Sequence, residues 1–192
     1  MKNKTPKDSV CIIGLGFVGL TLATVMSDLG FHVYGVEKKK SIIDKLKKKK
    51  SHFYEPKIDY LIKKIIKNKK FTFSRQFPKK KTNIYIITVG TPLNSKKQVI
   101  TKYIKETCLQ ISKRLENKDT VILRSTVKIG TTRNIAYPIL NKSKKKFNLA
   151  YCPERAVEGA ALQELKKLPQ VIGLLNENSK NRVINIFKKI TK

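Results

Sequence analysis

The sequence is poor in acid. It carries 13 Asp and Glu against 43 Lys and Arg, a formal charge of +30, and it has no tryptophan. Its three cysteines, Cys11, Cys108 and Cys152, are odd in number and scattered. That excludes a disulfide framework and a paired-cysteine metal site, and it points to a reducing cytoplasm. The two histidines, His32 and His52, stand apart, so no metal is expected. Long apolar runs are missing as well. The run from Val10 to Met26 follows lysines at 2, 4 and 7 and so mimics a signal peptide. It holds three glycines, lacks a small-residue cleavage site and is short for a membrane span. Neither export nor a membrane partner is expected.

The positive charge attracts polyanions at low salt. The lysines come as short separate runs, at 38–40, 47–50, 79–81 and 144–146, without interleaved aromatics or an arginine-rich helix. A solvated lysine surface fits them better than a specific nucleic-acid site. A hydrophobic share of 40% over 192 residues excludes general disorder and suits one domain with one core.

What is present is an ordered alternation. Residues 1–9 read as a polar lead-in. Val10–Ile13 predicts a strand, and Phe17–Leu29 a helix closed by Gly30. His32–Val36 predicts the second strand, followed by lysine-rich helices to either side of His52-Phe-Tyr-Glu-Pro56, the second at Ile58–Ile66. Phe71–Phe73 is a short strand. Ile84–Val89 reads as a strand buried on both faces. A helix over Ile100–Leu115 and a strand at Thr120–Leu123 come next. A helix then opens at Gly130-Thr131-Thr132 and runs to Leu140. Phe147–Tyr151 and Val171–Leu175 are further strands, and Glu177–Ile190 is the last helix. This order predicts an α/β fold, a Rossmann-like, doubly wound, mostly parallel sheet with helices on both faces.

Polar clusters fall at the carboxyl ends of the strands, where such sheets bind ligands. The first is Gly14-Leu-Gly-Phe-Val-Gly19. In a dinucleotide fingerprint Gly14 makes the turn, Gly16 lets a pyrophosphate approach, and Gly19 lets helix and strand pack. Glu37 ends the second strand, where a carboxylate holds a ribose. Its charge repels a 2′-phosphate and favours NAD over NADP, while Lys38–Lys40 soften that repulsion. Thr91-Pro92, Ser125-Thr126 and Glu154-Arg155 complete the edge. Each also has a plain reading: Thr91 and Thr126 as turn residues, Glu154 with Arg155 as a surface ion pair. Cys11 and Cys108 read as core residues. Cys152 lies beside the edge, but a nucleophilic thiol needs a lowered pKa.

These motifs, in this order, resemble the N-terminal domain of the UDP-glucose/GDP-mannose dehydrogenase family. The matching stretches are Gly14–Leu20, Gly35-Val-Glu37, Tyr54-Glu-Pro56, Gly90-Thr-Pro-Leu93, Ser125-Thr-Val127 with Gly130-Thr-Thr132, and Cys152-Pro-Glu-Arg155 with Val171-Ile-Gly173. The segment from Tyr151 to Arg155 looks most like the branch acting on UDP-N-acetylmannosamine. The resemblance implies two NAD-dependent hydride transfers that turn a sugar CH2OH into a carboxylate. It implies that Phe17 and Val18 hold the pyrophosphate, Glu37 the ribose, and Thr91 the cofactor's middle. Thr126 would sit by the nicotinamide and position a water. Glu154 would assist proton transfer and, with Arg155 and Ala156, contribute to substrate binding. Glu158 matches a cofactor-contacting acid.

The resemblance also shows what these residues lack. The family's catalytic cysteine lies in a Gly-Ser-Cys segment, its partner lysine and asparagine on a middle helix, and neither segment occurs here. Residues 10–192 are therefore expected to be the NAD-binding domain, without the middle helix and the sugar-nucleotide domain. The expectation is an incomplete dehydrogenase, from a truncated or split gene, with a separately encoded C-terminal half as a candidate partner. A stand-alone NAD-binding module and a basic nucleic-acid-associated protein on the same scaffold are the alternatives.

Overall fold

A computed structural model describes residues 8–191. Residues 1–7, most of the expected lead-in with its three lysines, lie outside the described residues. Ser9 joins the first strand rather than the lead-in.

Seven strands form one sheet: β1 (Ser9–Ile13), β2 (His32–Val36), β3 (Phe71–Ser74), β4 (Ile84–Ile87), β5 (Thr120–Leu123), β6 (Asn148–Tyr151) and β7 (Gly173–Leu174). Their order is β3-β2-β1-β4-β5-β6-β7. All pairings are parallel except β6 with β7. β1 thus sits between β2 and β4, and the connections turn opposite ways on its two sides. That reversal opens a crevice at the carboxyl end of the sheet.

Helices α1 (Phe17–Asp28), α2 (Lys40–Lys47), α3 (Ile58–Lys67), α4 (Lys102–Ser112), α5 (Tyr137–Leu140), α6 (Ala161–Lys167) and α7 (Lys180–Phe187) cover both faces. The central strands feed two cores at once. Val10 and Ile12 of β1, with Ile84 and Ile86 of β4, meet α1, α3, α6 and α7. Cys11, Ile13, Tyr85 and Ile87 meet α4 and α5. Because side chains alternate along a strand, a strand buried on both faces must be apolar throughout.

Four expectations change. The fourth strand stops at Ile87, because Thr88 turns its hydroxyl to donate to Ile13 O (3.0 Å) and Gly14 O (2.7 Å). The expected strand Val171–Leu175 shrinks to two antiparallel residues, paired Ala150 with Leu174 and Tyr151 with Gly173. The helix after Gly130 begins as a π-helical stretch, Thr132–Ala136. Helix α6 had no counterpart in the sequence reading: it has only two turns, too short for a clear period. Leu162 and Leu165 nonetheless bury against α1's core, and Pro169 follows its end. Asp8 ties the sheet to α7, receiving Arg182 at 2.6 Å and Lys189 at 3.6 Å. Burial raises its carboxyl, but Arg182, Asn83 and Lys189 outweigh that, and the net effect is a lowered pKa. No helix among the described residues is long and apolar enough to cross a membrane.

Candidate cofactor site

The glycine turn sets the site. Gly14 has φ +93°, a left-handed conformation that L side chains avoid, and a Cβ there would lie 2.7 Å from Thr88 O. Its N–H donates to Val36 O at 2.8 Å, locking the turn to β2. A Cβ at Gly19 would run into Gly14 O and come within 2.6 Å of Thr88 Oγ1. Gly19 is therefore a packing residue and does not line the cleft. Gly16 differs: a Cβ there would meet nothing within 4 Å. It precedes α1, which has no side-chain cap and no acidic residue in its first turn. The leading N–H groups of a helix lack intrahelical partners and favour an anion.

Glu37 follows β2 and is 8% exposed. Its Oε2 accepts from Leu15 N and its Oε1 from Lys39 N, both at 2.8 Å. The acid thus clamps the glycine turn to the tip of β2 while facing the crevice. Gly14, Gly16, Phe17, Val18, Glu37, Thr91 and Thr126 all line one cleft of about 820 Å³. That is the size range of cofactor pockets. Thr91 Oγ1 donates to Thr126 O at 2.7 Å, and Ser125 Oγ donates to Val89 O at 2.7 Å. These bonds fix the tips of β4 and β5 against each other and leave the Thr126 side chain exposed.

Sequence reading missed Arg124, which is fully buried at the end of β5 and lines the cleft from below. Its Nε and Nη2 donate to Glu154 Oε2 at 3.1 and 2.7 Å. Its Nη1 donates to Cys152 O, Cys152 Sγ and Gln170 Oε1. Its guanidinium also lies over the Phe187 ring, 5.3 Å from the centroid. One sequence signal was available: an arginine directly follows the apolar strand Val121-Ile-Leu, and a cation buried at such a strand end needs a carboxylate.

Glu154 therefore pairs with Arg124 and not with Arg155. Its Oε1 accepts from Arg155 N (2.8 Å) and Ala156 N (2.9 Å). With two donors on each oxygen, its acceptor capacity is full. Glu154, Arg155, Ala156 and Glu158 do not line the cleft. Arg155 reaches Pro169 O at 3.3 Å, and Glu158 is exposed. Their loop is anchored by a second residue whose role the sequence did not show, the buried Glu55, whose oxygens accept from Gly159 N (2.9 Å) and Leu162 N (3.0 Å). Phe53, on the same segment as Glu55, packs edge-on against Phe17 at the start of α1, centroids 5.1 Å apart. The segment carrying Phe53 and Glu55 thus joins that loop to the start of α1. Burial lowers the pKa of His52, with Glu37 and Glu158 opposing and Lys45 and Lys39 assisting.

Cys152 is inert by the same measure. Burial pushes its thiol up to about 11, against the nearby Arg124 charge. Cys11 and Cys108 are pushed up to about 12 by burial. All three are free and buried.

The cleft fits a dinucleotide. It joins an uncapped helix start, an open approach at Gly16 and a carboxylate at the second strand. Comparison with known proteins agrees. The profile of the UDP-glucose/GDP-mannose dehydrogenase family, NAD binding domain, matches residues 8–191. A UDP-N-acetyl-D-mannosamine dehydrogenase of Methanocaldococcus jannaschii is 32% identical over 182 residues, 93% of this chain and 42% of that protein. A GDP-mannose 6-dehydrogenase of Azotobacter vinelandii is 32% identical over 192 residues, 94% of this chain and 44% of that protein. The solved structure of a UDP-D-ManNAc dehydrogenase from Pyrococcus horikoshii superposes with a TM-score of 0.90 at 26% identity, covering 96% of this chain and 45% of that one. The chain thus spans under half the length of these relatives. On the match over residues 8–191, it belongs to the UDP-glucose/GDP-mannose dehydrogenase family, as the NAD binding domain of that family.

Proposed function

We propose that this chain is the cofactor half of a nucleotide-sugar 6-dehydrogenase that oxidises the CH2OH of a UDP-sugar, a UDP-N-acetylhexosamine by preference, to a carboxylate. The supporting observation is the single cleft that gathers Gly16, Phe17, Val18, Glu37, Thr91 and Thr126. The substrate preference follows relatives named as UDP-N-acetyl-D-mannosamine dehydrogenases. Bound NAD supplies the acceptor for the hydride. The chain's own residues do the rest. Backbone N–H groups of Phe17 and Val18 hold the pyrophosphate, and Glu37 receives the ribose hydroxyls while it keeps the glycine turn in place. The Thr91–Thr126 bond fixes the floor under the reacting end. The exposed Thr126 hydroxyl can both donate and accept, and so can orient a water there.

Glu154 serves here first as the residue that shapes the substrate loop. It accepts a proton from water only after the Arg155 or Ala156 amide lets go, because its acceptor sites are full. Holding an aldehyde for a second hydride transfer takes a reactive thiolate, and none of the three buried cysteines offers one. In this reading residues 10–192 are the NAD-binding domain, and the sugar-binding half is a partner, encoded separately or elsewhere in a longer product. Free thiols favour the cytoplasm as the working compartment.

Calorimetric titration with NAD tests the reading. Micromolar-to-millimolar binding is expected, with no steady NADH formation from UDP-sugars by the 192-residue polypeptide. Saturable DNA binding at physiological salt without NAD binding would overturn the cofactor assignment. Steady NADH formation by the pure chain would overturn its incompleteness.

A further inference from the structure

The ribose end of the cleft is more basic than a carboxylate at position 37 suggests. β2 and β3 run parallel with Val36 beside Ser74. The next residues, Glu37 and Arg75, therefore emerge side by side, with Glu37 N donating to Ser74 O at 3.0 Å. Arg75 Nε donates to Lys38 O at 3.2 Å, which holds the guanidinium across the tip of β2. Among the described residues no carboxylate pairs with Arg75 or Lys39, and both line the cleft. Lys38 lines it too, but is paired at 2.8 Å with the half-exposed Glu106. Glu37 is the single acid of the lining. Each of its oxygens already carries a backbone N–H, which disperses its charge and holds it toward the turn.

Resting on the NAD reading above, we infer that this site also accepts a 2′-phosphorylated dinucleotide, NADP, with Arg75 and Lys39 as its phosphate-binding residues. A guanidinium beside the adenosine ribose is the usual device for holding a 2′-phosphate. Its planar fork matches phosphate oxygens, and a free ammonium adds a second positive charge. The repulsion from Glu37 is met by two unpaired cations on the same rim.

The test compares NAD and NADP by calorimetry in the intact chain, in Arg75→Ser and in Lys142→Ser. Lys142 is exposed on the turn after α5, far from this rim in the chain, and controls for the general basicity of the surface. The expected dissociation constant for NADP lies within about tenfold of that for NAD. Arg75→Ser should widen the NADP-to-NAD ratio by about fivefold, Lys142→Ser not at all. An intact-chain ratio beyond tenfold against NADP overturns the inference and leaves the NAD reading standing. So does a ratio that Arg75→Ser leaves alone, or that Lys142→Ser moves equally. Failure of both dinucleotides to bind overturns both. Adenosine 2′,5′-bisphosphate set against adenosine 5′-monophosphate repeats the comparison without the nicotinamide half. A preference for the bisphosphate that Arg75→Ser erases supports the inference, and no preference overturns it.

Discussion

The two sides of the cleft use their polar groups in opposite ways. On the β1–α1–β2 side the backbone of the glycine turn presents donors outward, and the one acid, Glu37, serves both the turn and the crevice. On the β5–β6 side the charges are spent on each other. Arg124 and Glu154 are 0% and 8% exposed, and the guanidinium nitrogens and both carboxylate oxygens all meet protein groups. The first side is made to receive an anion without rearrangement. The second holds a buried framework, an ion pair that sets the shape of the loop after β6, and it reaches the cleft lining through Arg124, Ser125 and Thr126. An open site needs donors left over, whereas a buried ion pair needs none left over.

The largest expected effect breaks the framework. Arg124→Met leaves the Glu154 carboxylate buried without its partner and should cost about 3–5 kcal/mol of stability in urea unfolding. An unchanged midpoint would show that this side is not self-supporting. Gly19→Ala attacks the other side through packing. Its Cβ meets Gly14 O and the Thr88 hydroxyl, so a loss of about 1–3 kcal/mol is expected, together with weaker NAD binding. Binding lost at full stability would mean that the turn moves more freely than its contacts suggest.

Glu37→Ala should weaken NAD by about 1–2 kcal/mol in calorimetry, the loss of a hydrogen bond to a charged group. Unchanged affinity would sink the ribose assignment and leave Glu37 as a clamp only. Thr91→Val removes the bond to Thr126 O and should weaken NAD by about 0.5–1.5 kcal/mol with little change in unfolding. Equal losses in stability and affinity would move this contact into the framework class.

The smallest effect concerns the staple between the sides. The folded-state pKa of Asp8 lies below its ordinary value near 3.9, so its contribution is present above that value and fades as pH falls through the folded pKa. Arg182 and Lys189 are partly exposed, and Asp8→Asn should cost at most about 1 kcal/mol at neutral pH. The two proteins should converge in stability below about pH 4. A gap that persists in acid would assign the effect to packing rather than charge.

Much of the first side was legible beforehand. Gly14, Gly16 and Gly19 act over a few residues, and the roles read from their spacing match the turn, the open approach and the close packing. Glu37 was legible as a strand-end acid, although its hold on Leu15 and Lys39 was not. The second side was legible as motifs but not as partners. Glu154 was read against its neighbour Arg155, and Arg124 was passed over as part of a strand. The acid at Glu55 was seen in Tyr54-Glu-Pro56 without its task of anchoring the loop at Gly159 and Leu162. Helix α6 and the antiparallel turn of β7 escaped because each is too short to carry a period.

The sequence by itself determined the alternation of strands and helices, the glycine turn, the membership in one dehydrogenase family and the positions of the strand-end polar groups. These rest on local patterns: side-chain period, backbone freedom at glycine, and polar residues where buried strands stop. Only the tertiary structure decided which charges meet. Sheet order places Arg124 on Glu154, thirty residues on, and Arg75 beside Glu37. Burial then forces one pair to satisfy itself and leaves the other facing the cleft. That choice depends on which groups lose water, and a chain read residue by residue does not disclose it.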